Sequence, residues 1–155
     1  MTLPLPFRRT SDHSWTPVQV FAAVFGAVYV VVGVAGFQVT GFSGWTSHMD
    51  GMDKLIVFGV NPLHNAIHLV IGLAWLVGCT SLLWSRRISF AVGVAFALIT
   101  VAGVANLLGF LGMTGGLADP DNLLHLATAA LALYFATVGA VRRDPGPAES
   151  EATAW

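Results

Sequence analysis

Four long apolar segments separated by short polar connections constrain this chain more than any other feature of its sequence. They run from about Val18 to Val39, Asn61 to Trp84, Ile88 to Met113 and Asp119 to Val141, and about 20 apolar residues suffice for a helix to cross a bilayer. Composition agrees: 10% of the residues are charged, against about 25% in an ordinary soluble chain, and the mean hydropathy is +0.74. The expected fold class is an all-α membrane protein, with four transmembrane helices in an antiparallel bundle. At 155 residues the chain has room for one domain. It divides into a cytoplasmic lead (1–16), a transmembrane domain (17–143) and a cytoplasmic tail (144–155) with the composition of disorder.

The distribution of charge sets the expected orientation. Arg8, Arg9, Arg86, Arg87, Arg142 and Arg143 all fall at one set of segment ends, and Lys54 alone falls at the other. By the positive-inside rule both termini and the middle loop are cytoplasmic, while loops 40–60 and 114–120 lie outside. The arginine pairs stand where topology already demands them, so they imply no nucleic-acid partner. The first apolar run exceeds the 7–15 residues of a signal-peptide core, which reads as an uncleaved span. Cys79, the sole cysteine, makes no internal disulfide and reads as a small buried filler.

Local signals mark the helix ends. Pro17 suits a first helical position, and Asn61-Pro62 and Asp119-Pro120 each pair a capping residue with a proline start. Ala22, Gly26, Gly33 and Gly36 give the first span a small-residue face for close packing, and Ala132, Ala136 and Ala140 give the fourth a similar ridge. Lys54–Val60 is apolar enough either to lie in the membrane interface or to lead into the second helix. Asn106 is the one strongly polar residue expected inside the third span.

The stretch Asn61–Leu69, N-P-L-H-N-A-I-H-L, carries polar and ionisable groups into an apolar run, where they are expensive and usually have a purpose. A shorter echo, D-P-D-N-L-L-H-L, opens the last run at Asp119–Leu126. Together with a match between Val31–Gly36 (V-V-G-V-A-G) and Val101–Asn106 (V-A-G-V-A-N), the echo suggests two parallel helix-pair repeats about an axis along the membrane normal. His64 and His68 are four apart and share one helix face; Asn65–His68 and Asn122–His125 each repeat a spacing of three. At about 1.5 Å per residue, these groups occupy one slab near the outer surface.

Several roles suit that slab. Asn61, Asn65, Asn106 and Asn122 with the histidines make a structural polar cluster that sets helix register without chemistry. His64, His68 and His125, completed by Asp121, make a zinc-like shell for a divalent metal. The loop H-M-D-G-M-D adds His48, Met49 and Met52, a soft set suited to copper, although interface hydrophobicity explains the methionines more simply. A b-type haem on His68 and His125 ranks lower, because propionates favour cationic partners and every arginine lies at the opposite face. A carrier or channel lacks ionisable residues in the cytoplasmic half of its spans, and no nucleophile motif points to covalent catalysis.

The N-P-L-H-N-A-I-H-L motif, the D-N-L-L-H-L echo, the early G-V-A-G-F and the four-span layout together resemble a bacterial family of small four-helix membrane proteins, catalogued only as a domain of unknown function. The likeness covers roughly residues 15–143. It implies the four-helix fold, a bacterial cytoplasmic-membrane location, and importance for Asn61, Pro62, His64, Asn65, His68, Asn122 and His125; it supplies no activity. The expected function is non-enzymatic: an accessory or structural subunit of a membrane complex, with the lipid bilayer and a membrane protein or second copy as partners. The alternative is a metal-binding or, ranked lower, haem-binding protein using His64, His68 and His125.

Overall fold

A computed structural model describes residues 15–46 and 53–138. The arginine pairs at Arg8/Arg9 and Arg142/Arg143, the lead up to residue 14, the H-M-D-G-M segment at His48–Met52, Ala140 and the C-terminal tail all lie outside the described residues. In chain order the elements are α1 (Pro17–Thr40), β1 (Asp53–Leu55), β2 (Phe58–Val60), α2 (Pro62–Gly78), α3 (Leu82–Val104), a 3₁₀ turn at Gly109–Leu111 and α4 (Pro120–Thr137).

Three prolines open helices as their positions require, because a first-turn residue has no intrahelical partner for an N–H. Thr16 precedes Pro17 and donates its backbone N–H to Gln19 Oε1 at 3.1 Å. Asn61 Oδ1 accepts the His64 N–H at 2.9 Å. Asp119 Oδ1 accepts from the N–H groups of Asp121 and Asn122 at 2.8 and 3.3 Å.

The turn between α2 and α3 comes earlier than the apolar pattern suggests. α2 stops at Gly78 and α3 already starts at Leu82, so Trp84, Arg86 and Arg87 ride on the first turns of α3 rather than closing α2. The Gly78 carbonyl holds the turn, accepting the Ser81 N–H at 3.1 Å and the buried Ser85 hydroxyl at 3.0 Å. Leu82 and Leu83 carry no turn signal, and the apolar run hid the break. α3 in turn ends at Val104. Asn106 is therefore not a buried polar residue within a span: it sits beyond the helix, exposed, at φ +60°, a left-handed position that asparagine tolerates better than most residues.

Lys54–Val60, left between an interfacial segment and a helix lead, belongs to an antiparallel hairpin with Asp53 opposite Val60 and Leu55 opposite Phe58. Its two-residue turn places Ile56 at φ +64°. Gly59 and Val60 are buried, and the hairpin roofs the end of the molecule where α2 and α4 begin.

The helices pack as two antiparallel pairs, α1 with α2 and α3 with α4. Thr40 near the end of α1 meets Asn65 near the start of α2, and Gln19 donates to the Cys79 carbonyl at 3.0 Å at the other end. In the second pair, Arg86 Nε donates to the Ala136 carbonyl at 3.2 Å. The small-residue face of α1 does what its composition suggests. A Cβ on Gly33 would stand 2.9 Å from the Asn65 carbonyl oxygen, so the backbones touch there. Ala22, Gly26, Gly33 and Gly36 are all buried, as are Ala132 and Ala136 on α4.

Away from the hairpin, an aromatic core joins the pairs: Phe21, Tyr29, Trp75 and Phe96, with Cys79 buried at its edge. Buried polar side chains accompany this apolar core, while many large apolar side chains face outward. Val20, Val24, Val28 and Val31 face outward on α1, as do Phe90, Leu98 and Val101 on α3, while Ser85, Ser89, Thr100 and Thr128 are buried. Two helices, Pro17–Thr40 and Leu82–Val104, are long and apolar enough to cross a membrane.

The buried Trp75 indole donates to Ser89 Oγ at 3.1 Å, tying α2 to α3. A Trp75→Phe, Ser89→Ala double-mutant cycle, followed by denaturant unfolding of the detergent-solubilised protein, should give a coupling energy of about 0.5–1.5 kcal/mol. Additive effects would mean that this bond does not stabilise the fold.

Candidate metal centre

The cap at Asn61 fixes where α2 begins, and the helical period then decides which side chains turn inward. His64, Asn65 and His68 are buried on one stripe. The cap at Asp119 does the same for Asp121, Asn122 and His125 on α4. Because both helices start at the same end of the molecule, the three imidazoles converge. His64, His68 and His125 each offer a ring nitrogen, and these atoms lie within 4.8 Å of one another. Ring centroids are 4.4 Å apart for His64–His68, 5.9 Å for His64–His125 and 6.2 Å for His68–His125.

Their surroundings are dry and tight. A cavity of about 20 Å³ between the rings is walled by Ile67, Phe96, Ile99 and Leu111. Phe96 stacks on His125 at 4.9 Å, and Tyr29 meets His68 edge-on at 5.1 Å. The Tyr29 hydroxyl is turned away to Thr128 Oγ1 at 3.0 Å. Among the described residues, neither ring nitrogen of His68 nor of His125 has a hydrogen-bond partner. Buried polar atoms are nearly always paired, so two unpartnered imidazoles that line one small cavity, each offering a nitrogen to the converging set, make it a candidate ligand site.

His64 differs from the other two. Its Nδ1 lies 3.1 Å from the carbonyl oxygen of Gly59 in the hairpin. A donor bond to that carbonyl puts the proton on Nδ1 and leaves Nε2 with the lone pair a metal requires. The N–H of the same Gly59 donates to Asp121 Oδ2 at 3.2 Å. Asp121 is thus buried beside the centre but stands outside the converging set, and it and His64 bind the N–H and the carbonyl of the same hairpin residue, Gly59. Asp119 is likewise committed elsewhere: its Oδ2 accepts from the backbone N–H of Thr114 at 3.0 Å and from the Thr114 hydroxyl.

The asparagines separate into distinct jobs. Asn61 caps α2 and donates to the Phe110 carbonyl at 2.8 Å, which fixes the 3₁₀ turn over the cavity. Asn65 donates to Thr40 Oγ1 at 3.0 Å, and Asn122 donates to the carbonyls of Thr114 and Gly116 at 3.2 and 2.8 Å. Each of these two carboxamides points its oxygen at a glycine of the partner helix. A Cβ on Gly36 would overlap the Asn65 side chain, and one on Gly103 would overlap that of Asn122. In each pair a histidine follows the docked asparagine by three residues and points into the centre. Gly36 therefore corresponds to Gly103. The Val31–Gly36 and Val101–Asn106 match, which sets Gly33 against Gly103, is out of register.

Gly36, Gly103, Gly59, Tyr29, Thr128 and Phe96 were not legible as site residues. The two helical glycines looked like generic packing surface, and Gly59 gains its role only from a hairpin that brings it over α2. Gly36→Ala and Gly103→Ala should each destabilise the protein by about 1–3 kcal/mol, the usual cost of overpacking, read as a lowered unfolding midpoint. Val28→Ala, on the exposed face of α1, should move that midpoint by less than about 0.5 kcal/mol. Equal effects at all three positions would show that the asparagine–glycine contacts carry no special weight.

No characterised protein and no solved structure matches the chain. One family does, over residues 19–138, a span that holds all three histidines, both docked asparagines and their glycines. The chain belongs to the family described as Domain of unknown function (DUF4383).

Proposed function

We propose that this protein is a four-span membrane protein that holds a transition-metal ion between His64, His68 and His125, near the outer surface of a bacterial cytoplasmic membrane. The observation that carries the metal reading is the convergence of three buried imidazoles on one small cavity, with both ring nitrogens of two of them unpartnered. Imidazole is a common ligand for zinc, copper, nickel and iron.

The membrane arrangement is supported by the many large apolar side chains that face outward and by helix length. α2 and α4 have 17 and 18 residues, about 26 Å at 1.5 Å per residue, close to the hydrocarbon thickness of a bilayer. Each packs against a longer apolar helix. The matching Gly36–Asn65–His68 and Gly103–Asn122–His125 arrangements favour two parallel helix-pair repeats forming one bundle. Arg86 and Arg87 favour a cytoplasmic end there, which supports an outward position for the histidines.

A b-type haem on His68 and His125 fits less well. A cofactor of that size calls for a pocket of at least about 300 Å³, whereas the cavity here is about 20 Å³. The third ring, His64, also stands where a macrocycle would have to pass. A through-channel is disfavoured because Tyr29, Trp75 and Phe96 close the bundle beneath the histidines. The protein then serves its membrane, or a larger complex, by capturing a metal rather than by conducting it or catalysing a reaction.

Two measurements test this. Metal added at about 100 times its Kd should stabilise the purified protein by about 2.7 kcal/mol. That gain should vanish in His68→Leu and His125→Leu but persist in Asn106→Ala; a folded protein whose stability ignores copper, zinc and nickel alike would sink the metal reading. For topology, single cysteines at Ser43 and Leu117 in a Cys79→Ser background should react with a membrane-impermeant maleimide from outside intact cells. A cysteine at Trp84 should react only after permeabilisation, and labelling at all three positions would overturn the four-span arrangement.

A further inference from the structure

We propose that the three-histidine centre selects Cu(I) over Zn(II). This rests on the metal reading above and goes beyond it in naming the ion, from the number of donors, the room between them and their charge.

Three donors converge, and no fourth protein ligand joins them among the described residues. Neither nearby carboxylate belongs to the converging set: Asp121 Oδ2 accepts from Gly59, and Asp119 accepts from Thr114, Asp121 and Asn122. The remaining walls are Ile67, Phe96, Ile99 and Leu111, which offer only hydrocarbon side chains. Zinc sites held by three protein ligands keep a water or substrate in the fourth position, and structural zinc is almost always four-coordinate. The space between the rings is lined by no polar side chain other than the three histidines, so the protein itself offers a trigonal donor set. Cu(I) is satisfied by two or three donors; Zn(II), also d¹⁰, differs in its double charge and in the fourth ligand it takes.

Charge leads to the same ion. Three neutral imidazoles contribute nothing to cancel a cation's charge, and the cost of burying an ion grows with the square of that charge. A doubly charged ion among these three rings lacks an anionic ligand; the carboxylate of Asp121 binds Gly59 rather than joining the converging set. A singly charged ion carries a quarter of that penalty by the same scaling. Its ring nitrogens need to close from within 4.8 Å to about 3.5 Å apart for metal–nitrogen bonds of about 2.0 Å, a small side-chain adjustment.

The full-length protein in detergent should be titrated anaerobically with Cu(I) against a chromogenic Cu(I) chelator, and separately with Zn(II) against a zinc dye. One Cu(I) per chain should bind at least about 100-fold more tightly than Zn(II). X-ray absorption of the Cu(I) form should show about three nitrogen neighbours at about 2.0 Å. Binding should be lost in His68→Leu and in the milder His125→Asn, with helical content by circular dichroism and the gel-filtration profile unchanged. Asp121→Asn should still bind one Cu(I). Zinc bound as tightly as Cu(I), a fourth light-atom neighbour on copper, or loss of binding in Asp121→Asn would each overturn the choice of ion while leaving a metal site in place. A folded protein that binds neither ion would overturn the metal reading as well.

Discussion

The arrangement of this protein depends on two asparagine carboxamides pressed against helical glycines. Asn65 on Gly36 and Asn122 on Gly103 fix how far each helix of a pair slides along its partner and how it is turned. Each asparagine donates its own N–H groups to that partner side, to Thr40 in one pair and to the Thr114 and Gly116 carbonyls in the other. A histidine three residues further on has then no freedom to choose its direction. With both pairs set in this way, His68 and His125 approach each other across the interface, and His64 joins from the turn above.

What lies above and below the histidines follows from the same packing. Beneath them, Tyr29, Trp75 and Phe96 fill the interior and spend their polar atoms on Thr128 and Ser89, so nothing on that side competes for the imidazoles. Above them, the hairpin contributes one residue, Gly59, whose carbonyl faces His64 and whose N–H faces Asp121. The carboxylate thereby stays beside the three imidazoles without joining their converging set. This division between a donor set and an outer partner is the usual construction of metal sites, in which the outer hydrogen bond fixes which nitrogen of a histidine faces the ion.

Much of the fold was legible in the sequence, because the signals that set it are local. Pro17 and the cap–proline pairs at 61–62 and 119–120 marked three helix starts, and apolar length with small-residue stripes marked the helices and their contact faces. Local signals failed where a partner distant in sequence decides. The break at Gly78 is held by the Ser85 hydroxyl and leaves no trace in hydropathy. Asn106 looked buried because it sits in an apolar run, yet α3 stops short of it and the backbone turns left-handed. The hairpin at 53–60 is too short to show a period of its own.

The sequence alone determined that polar side chains would enter apolar helices at Asn61–Leu69 and Asp119–Leu126, and which of them share a helix face, since a helix of fixed pitch converts spacing into direction. It could not determine which of those groups meet. Tertiary structure decided that three imidazoles converge, that Asp121 binds Gly59 and stays outside that set, and that Asn106 takes no part. The physical reason is that convergence depends on the slide and rotation between helices, and these are set by contacts such as Asn65 on Gly36 that join residues far apart along the chain.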